Sequence, residues 1–330
     1  MGLHIEPLRV ALVGAGGIAA RHLAELSRRD DVDVVAVCDR DPVRAAALAP
    51  AEAKVYERVD DLLDGERPDA LWVCTPPLAH REATVAALAR GVHVYLEKPI
   101  ARTLDDADAI HRAASGSDAV CAIGYQWRAI DILDAVREAL QGQELALLLG
   151  RNIGPADRRP WFLDRAQGGG NLLERGSHQI DLVHALGAEV GHVQAAASPI
   201  ALGQAEGVPG DIDDAVVLIL HLGNGGLANL VVAWTRAAQP GIYALDIVAE
   251  EATLTLTLDP EFTLRGVSAG RSVEARASTD PFRRSIEGFL EAVREHDPAR
   301  VFCRPEDAVR TLAVAHACEV AMSTGASLPV

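Results

Sequence analysis

The sequence predicts an α/β fold in two parts, a doubly wound parallel sheet followed by an α+β domain with a large, mostly antiparallel open sheet. The chain has 330 residues, above the roughly 250–300 at which one hydrophobic core stops growing. Strand and helix signals alternate through the first part, as in parallel sheets. Hairpin signals and apolar–polar alternation prevail afterwards. We therefore expect a boundary near Ile123, with domains at residues 1–123 and 124–330.

The first domain repeats a buried strand followed by a helix. Apolar runs of strand length occupy Leu8–Val13, Val32–Cys38, Ala70–Cys74, Val92–Leu96 and Ala119–Ile123. Helical patterns lie between them. Asp41-Pro42 is typical of an N-cap followed by proline at the first helical position. Thr103 and Asp106 have the spacing of a capping box, so another helix is expected to begin there.

The second domain is predicted to be mostly strands. After a helix at Asp131–Leu140, strand-like runs occupy Leu145–Ile153, Val190–Ala197, Ala215–Leu222, Leu227–Trp234, Tyr243–Ala249 and Ala252–Leu258. One long helix is expected near Leu172–Leu186, and two helices close the chain. The uncharged stretch Ala215–Trp234 is long enough for a membrane span. Its centre, Gly223–Gly226, is instead typical of a hairpin turn.

Composition excludes several classes of partner. The chain has 31 basic and 47 acidic side chains, a net charge of −16, which repels nucleic acids and anionic membrane surfaces. Five cysteines form no C-x-x-C pair and lie mostly in apolar runs, as expected of free thiols in a reducing compartment. Met1–Pro7 lacks a cationic, cleavable signal pattern. We expect a cytoplasmic protein.

A glycine-rich turn between the first strand and helix matches a dinucleotide-binding fingerprint. Gly14-Ala15-Gly16-Gly17-Ile18-Ala19 has the form G-x-G-x-x-A, in which glycines allow a tight turn and the approach of a pyrophosphate to a helix N-terminus. Asp39, at the end of the second strand, is placed to accept hydrogen bonds from the adenosine ribose, so NAD is expected rather than NADP. Arg40 beside it could stack on adenine or hold a phosphate. A plain glycine turn, and Asp39 as a helix N-cap, remain alternatives.

Two further strand ends belong to the same expected edge. Thr75-Pro76-Pro77 and Glu97-Lys98-Pro99 each follow a buried strand, where ligands of open α/β sheets bind. The Lys98–Pro99 bond is a candidate for the cis form. The alternative for Lys98 is an ordinary solvated surface lysine.

These motifs and others downstream resemble the glucose–fructose oxidoreductase / inositol dehydrogenase / rhizopine-catabolism (Gfo/Idh/MocA) family over nearly the whole chain. The resemblance rests on five segments: the glycine-rich turn, Thr75–His80, Glu97-Lys98-Pro99, Gly124–Arg128 and Gly168–Asp181. It implies a Rossmann domain and an NAD(P)-dependent oxidoreductase acting on a sugar, cyclitol or related polyol. It also implies a homodimer or homotetramer that assembles through the C-terminal sheet.

The resemblance also implies roles for individual residues. Lys98 corresponds to the family's catalytic lysine and His178 to its catalytic histidine, while Glu174 stands where many members have aspartate. From their chemistry rather than from the resemblance, Gln126 and Trp161 are expected substrate contacts, since a polar ring hydrogen-bonds at its edge and stacks on its face. The expected cofactor-binding set is Gly14, Gly16, Gly17, Ile18, Asp39, Arg40, Thr75, Pro76, His80, Glu97 and Lys98.

The residue types suit the oxidation of a secondary alcohol. An imidazole such as His178 can take the hydroxyl proton near neutral pH, and an ammonium such as Lys98 can stabilise the developing alkoxide. Glu174 precedes His178 by four residues and would share its helix face. Alternatives remain: Asn171 and Glu174 as a capping box, His178 as a core histidine, and Trp161 as a core or rim side chain. No metal site is expected, although Glu174, His178, Asp181 and His184 follow one helix stripe.

Two other functions compete with a dehydrogenase or reductase. One is glycoside cleavage or epimerisation in which the hydride returns internally and the cofactor is regenerated. The other is a non-catalytic dinucleotide sensor, since a fold alone does not establish a function.

Overall fold

The computed structural model describes residues 6–155, 159–198, 212–235 and 241–330. They form two compact units. One contains the described residues of Met1–Gly124 together with Ser285–Glu306, and the other contains those of Tyr125–Arg284 and Asp307–Val330.

The first unit is built on a six-stranded parallel sheet with strand order β3-β2-β1-β4-β5-β6. The strands are β1 (Leu8–Val13), β2 (Val32–Cys38), β3 (Lys54–Tyr56), β4 (Ala70–Val73), β5 (His93–Leu96) and β6 (Cys121–Ile123). The helices between them are α1 (Gly17–Leu26), α2 (Pro42–Leu48), α3 (Val59–Glu66), α4 (His80–Leu88) and α5 (Leu104–Ser115). The parallel doubly wound sheet expected from the alternating pattern is confirmed.

Local signals explain where these helices begin. The Asp41 carboxylate accepts hydrogen bonds from the amides of Val43 and Arg44, and Pro42 occupies the first helical position of α2. The Thr103 hydroxyl accepts the Asp106 amide at the start of α5. Both predicted caps are therefore confirmed.

The second unit is built on a nine-stranded sheet with strand order β14-β13-β12-β11-β7-β10-β9-β8-β15. Among the described strands of this second sheet, β7 and β10 are the one parallel pair, and all other neighbours are antiparallel. The strands are β7 (Leu145–Pro155), β8 (Val190–Ser198), β9 (Ala215–Leu222), β10 (Leu227–Thr235), β11 (Ile242–Ala249), β12 (Ala252–Asp259), β13 (Thr263–Ser268), β14 (Arg271–Arg276) and β15 (Leu328–Pro329).

Short helices and one π-helical turn, Leu172–Gly176, complete this unit. The α-helices are α6 (Leu133–Ala139), α7 (Pro160–Leu163), α8 (Arg165–Gly168) and α9 (Ser177–Ala185). The chain passes between the units three times, after Gly124 and within the two helices α10 (Pro281–Glu295) and α11 (Pro305–Thr324). No helix in the described ranges is both long and apolar enough to cross a membrane, and β9 and β10 form the predicted hairpin.

The structure departs from the sequence-based division in one segment. Ser285–Glu306, which the sequence assigns to the second domain, belongs to the first unit. The reason is aromatic packing: the Phe289 ring lies 5.1 Å from Trp72 of β4 and 5.6 Å from Tyr95 of β5. The Tyr95 hydroxyl also hydrogen-bonds the Ser285 hydroxyl at 2.9 Å. A helix distant in sequence thus covers one side of the parallel sheet.

Candidate functional site

The carboxyl ends of the first unit's strands bring the predicted cofactor residues to one edge. β1, β2, β4 and β5 are parallel neighbours, so the residues that follow them emerge on the same side of the sheet. These residues are Gly14 after β1, Asp39 after β2, Thr75 near the end of β4, and Glu97 with Lys98 after β5.

The glycine-rich turn leaves room for a ligand at the start of α1. Gly14 has φ +92°, and a Cβ there would lie 2.7 Å from the backbone carbonyl of Cys74, so only glycine fits. A Cβ on Gly16 or Gly17 would meet nothing within 4 Å. α1 has no acidic side chain in its first turn, where Ile18 lies, and its N-terminal amides favour an anion. The turn therefore fits a dinucleotide pyrophosphate.

Asp39 lies at the expected strand end and also stabilises the turn. Its two carboxylate oxygens accept the amides of Ala15 at 2.7 Å and of Asp41 at 2.9 Å. The alternative that Asp39 caps the following helix is wrong, because Asp41 caps α2. Arg40 is exposed beside it.

The loop after β4 contains an unsatisfied polar atom. Within the described residues, the buried Thr75 Oγ1 has no hydrogen-bond partner, although most buried polar groups are paired. Pro76 precedes a 3₁₀ turn, Pro77–Ala79. With the glycine-rich turn and Asp39, this edge fits a nicotinamide dinucleotide.

His80 occupies a different place from the other predicted cofactor residues. Its side chain has no exposed surface, and its ring nitrogens lie 2.9 Å from the Pro99 carbonyl oxygen and 2.8 Å from that of Thr75. Burial lowers the pKa of His80, although the carbonyl groups oppose the shift. The ring therefore links the loops that follow β4 and β5 through these two carbonyl groups, and it has no exposed face for a ligand.

The Glu97-Lys98-Pro99 turn contains a buried carboxylate and a half-buried lysine. Glu97 is hydrogen-bonded to His22 at 2.7 Å and to the Lys98 amide at 3.1 Å. Burial by itself raises the pKa of Glu97, but the bond and charge of His22 and the charge of Lys98 outweigh it, and the net pKa is lowered. The Lys98–Pro99 bond is cis. Because its side chain is half-buried, Lys98 is not a fully solvated surface lysine.

In the second unit, His178 lies in an aromatic setting on α9. Its ring is 5.7 Å from the Tyr125 ring in an edge-to-face arrangement and 4.9 Å from the Trp127 ring. His178 keeps 9% of its surface exposed. The segment before α9 is π-helical, a geometry often found at functional sites.

A buried ion pair, which the sequence analysis did not single out, fixes this aromatic segment to α9. Arg128 Nε lies 2.9 Å from each carboxylate oxygen of Asp181, and Thr311 of α11 donates to Asp181 at 3.2 Å. Burial raises the pKa of Asp181 to about 6 even though Arg128 lowers it. Both partners lie within sequence motifs that were already noted: Arg128 directly follows Trp127, and Asp181 lies three positions after His178.

The structure changes the interpretation of Glu174 and Asn171. Asn171 has helical backbone angles and no capping bond, and its amide donates to the Asp214 carbonyl at 3.2 Å. The capping-box alternative is therefore wrong. Glu174 lies in the π-helical turn, not in the α-helix expected from its spacing to His178, and its carboxylate is 3.9 Å from an Arg159 guanidinium nitrogen.

The two predicted substrate residues lie in the same unit. Gln126 is half-buried in a 3₁₀ turn, Gln126–Ala129. Trp161 is partly buried against the Phe162, Leu163 and Trp234 cluster, and the Arg159 guanidinium lies 4.7 Å from its ring centre. Trp161 thus keeps part of its ring exposed and has a cation over it. Among the described residues, no group of three or more potential metal ligands is present.

Comparison with known proteins identifies both halves of the chain. Residues 8–125 match the profile described as "Oxidoreductase family, NAD-binding Rossmann fold". Residues 148–255 match the profile described as "GFO/IDH/MocA C-terminal domain".

Relatives and solved structures agree with these matches. The D-glucoside 3-dehydrogenase of Escherichia coli K12 is 34% identical over 185 residues, but the match spans only about half of each protein, 53%. The 1,5-anhydro-D-fructose reductase of Ensifer adhaerens is 27% identical over 96% of this chain and 97% of that enzyme. The structure of UDP-N-acetylglucosamine 3-dehydrogenase from Acidithiobacillus ferrooxidans superposes with a TM-score of 0.80 and 26% identity, covering 96% of this chain and 97% of that one.

Proposed function

Since the chain belongs to the Gfo/Idh/MocA family of NAD-binding oxidoreductases, we propose that it transfers hydride between nicotinamide and a secondary alcohol or ketone of a sugar, cyclitol or related polyol. The observation that carries the proposal is the edge of the parallel sheet, where a glycine-rich turn, Asp39 and Lys98 emerge from neighbouring strands. The relatives named above are dehydrogenases or a reductase of sugar derivatives by name, which supports the substrate class.

The proposal gives each polar residue one task. Bound nicotinamide would accept or deliver the hydride. The Lys98 ammonium stabilises negative charge that develops on the substrate oxygen. The His178 imidazole accepts the hydroxyl proton in the oxidative direction. Glu174 supplies negative charge beside Arg159, while Gln126 and Trp161 offer an amide and an aromatic face to a polar ring.

Substitution of the two proposed catalytic residues tests this function on a substrate found by screening polyols. Lys98→Met should leave NADH affinity largely intact and reduce kcat severely, because the developing charge loses its partner. His178→Ala should reduce kcat by about 10²–10⁴-fold. The chain has only one other lysine, Lys54, whose exposed side chain pairs with the buried Glu66 carboxylate. Lys54→Met is therefore the control and should retain activity; near-normal kcat in Lys98→Met would overturn the assignment.

We also propose that the chain forms a homodimer or homotetramer through the second unit's sheet. Strand register places Leu149, Val217, Leu227 and Ile242 on the same face of four neighbouring strands, and each is 36–47% exposed. The same face also carries the Arg151–Asp246 ion pair. Exposed apolar residues that share one face often mark an interface.

A cytoplasmic location is proposed from the cysteines. All five are free thiols, and all are buried. Burial raises the pKa of Cys121 and Cys318 to about 12, so these thiols stay protonated and unreactive. Such a set suits a reducing compartment.

A further inference from the structure

His22 is a buried side chain of α1 that neither the cofactor assignment nor the catalytic assignment uses. It has no exposed surface. Its Nε2 atom lies 2.7 Å from the Glu97 Oε1 atom, although 75 positions separate the two residues in the chain. A buried polar contact between such distant residues fixes two elements relative to each other.

The direction of this hydrogen bond follows from charge. The pKa of Glu97 is lowered because the interactions with His22 and Lys98 outweigh the penalty of burial, so the carboxyl is ionised and its oxygens can only accept. The Nε2 atom of His22 therefore carries the proton and donates. The other Glu97 oxygen accepts the Lys98 backbone amide at 3.1 Å. A chain of hydrogen bonds thus runs from α1 through Glu97 to Lys98.

Neighbouring residues hold both partners in one position. A Cβ on Gly124 would lie 3.2 Å from three atoms of the Glu97 carboxylate, so the carboxylate rests against that backbone. The His22 ring packs edge-to-face on Tyr95 at 5.1 Å, and Tyr95 in turn stacks on Trp72 at 5.6 Å. The ring and the carboxylate therefore have little freedom to rearrange.

We propose that His22 is a positioning residue for Lys98, acting through Glu97. This inference rests on the proposed function, because it takes Lys98 as the charge partner of the substrate oxygen. Without a donor at position 22, the ionised Glu97 carboxylate loses a charge-assisted bond in a buried place, and the turn that it anchors can shift. Displacement of a reacting group by about 1 Å can lower a rate on the order of 10²-fold.

The two lysines allow the position of Lys98 to be observed without activity. Selective ¹⁵N labelling of lysine gives two backbone amide signals, one from Lys54 and one from Lys98. In His22→Leu, the chemical shift of the Lys98 amide should change while that of the Lys54 amide stays the same. Of these two amides, it is the Lys98 amide that donates to Glu97. His22→Gln, whose amide can still donate, should restore much of the original position.

Kinetics on the identified substrate provide the second readout. We expect His22→Leu to lower kcat on the order of 10²-fold, with KM and the dissociation constant of NADH little changed, and His22→Gln to recover part of it. His93→Leu is the matched control: His93 begins the strand that Glu97 follows, and its ring accepts the Val120 amide at 2.8 Å. This control should lose thermal stability but keep kcat.

Gly124→Ala keeps the test valid if His22→Leu fails to fold. It removes no polar group but presses on the Glu97 carboxylate, so it should move the Lys98 signal and lower kcat. The inference would be overturned if His22→Leu left both the Lys98 amide signal and kcat unchanged. If His22→Leu does not fold, the same result in Gly124→Ala would overturn it. If these variants retain kcat while Lys98→Met loses it, only the inference fails. If Lys98→Met itself retains kcat, the proposed function fails first.

Discussion

Asp39 shows how one side chain can stabilise a binding turn and select the ligand. Its carboxylate already accepts the Ala15 amide, which fixes the turn that would face a bound pyrophosphate. The same carboxylate would repel a 2′-phosphate on the adenosine ribose. The proposed preference for NAD over NADP follows from this charge, while Arg40, the next residue, is a cation that opposes it.

Fluorescence titration with NADH and NADPH measures this preference. The wild-type protein should bind NADH more tightly. Asp39→Asn keeps an oxygen for the Ala15 amide but removes the charge, so the preference should narrow on the order of tenfold, which corresponds to about 1.4 kcal/mol. Tighter binding of NADPH by the wild-type protein would refute the argument from the carboxylate.

At the scale of residues, local motifs could be predicted and distant pairs could not. The glycine-rich turn, Asp39 and Lys98 are visible because each adjoins the end of an apolar strand. His22 looks in the sequence like one more polar residue of an amphipathic helix, and its partner lies far along the chain. The roles of His178 and Glu174 come from the family resemblance and stay proposals.

At the scale of elements, a buried ion pair as well as apolar packing fixes the position of helix α9. Arg128 and Asp181 form a pair with side chains only 10% and 1% exposed, and Arg128 also lies 3.4 Å from Asp307 of α11. This pair places the Tyr125–Arg128 segment against the helix that carries His178. The aromatic contacts of His178 depend on it.

Removal of Arg128 should therefore be strongly destabilising. Arg128→Met leaves the buried Asp181 without its cation, a loss that typically costs about 3–5 kcal/mol. Burial already raises the folded-state pKa of Asp181 to about 6, above the ordinary value of an aspartate, and it should rise further in the variant. The free energy lost should then be larger at pH 8 than at pH 5, because protonation below the folded pKa relieves the buried charge.

Urea unfolding at both pH values checks this expectation. Arg137→Met is the control, since Arg137 forms an exposed pair with Asp134 and such pairs contribute little. Equal stability losses in the two variants, or a loss in Arg128→Met that does not depend on pH, would contradict the account of Asp181.

The sequence predicted some strands and helices with correct bounds and missed others. Long apolar strands such as β1, β2 and β9 have the predicted bounds. Short or polar strands were missed: β3 is mostly exposed, and β14 alternates charged and small residues. The π-helical turn could not be predicted, because its residues follow the helical pattern and only the backbone departs from it.

At the scale of the whole molecule, the two-part architecture follows from the change in pattern near Ile123. What the sequence could not show is that Ser285–Glu306 returns to the first unit, because that depends on Phe289 meeting Trp72 and Tyr95. An apolar face on the second sheet was expected from uncharged strands. The register places exposed apolar residues on one face, which also carries the Arg151–Asp246 ion pair.

Light scattering at micromolar concentration tests the proposed assembly. The wild-type protein should have a mass of two or four chains of 34.9 kDa. Val217→Glu places a charge among the exposed apolar residues of this face and should shift the mass towards one chain. Leu104→Glu on α5, 39% exposed before substitution, should not. A wild-type species near the chain mass would contradict the proposal.

The most direct test of the central claim is the accumulation of reduced nicotinamide. The wild-type protein is incubated with NAD and each of a panel of polyols, aldoses and cyclitols, and the absorbance of reduced cofactor is followed to steady state. We expect at least one secondary alcohol to give reduced cofactor in proportion to its own oxidation. Substrate conversion without accumulation would show internal hydride return, and binding of NAD without conversion of any substrate would show a sensor; either result would contradict net hydride transfer.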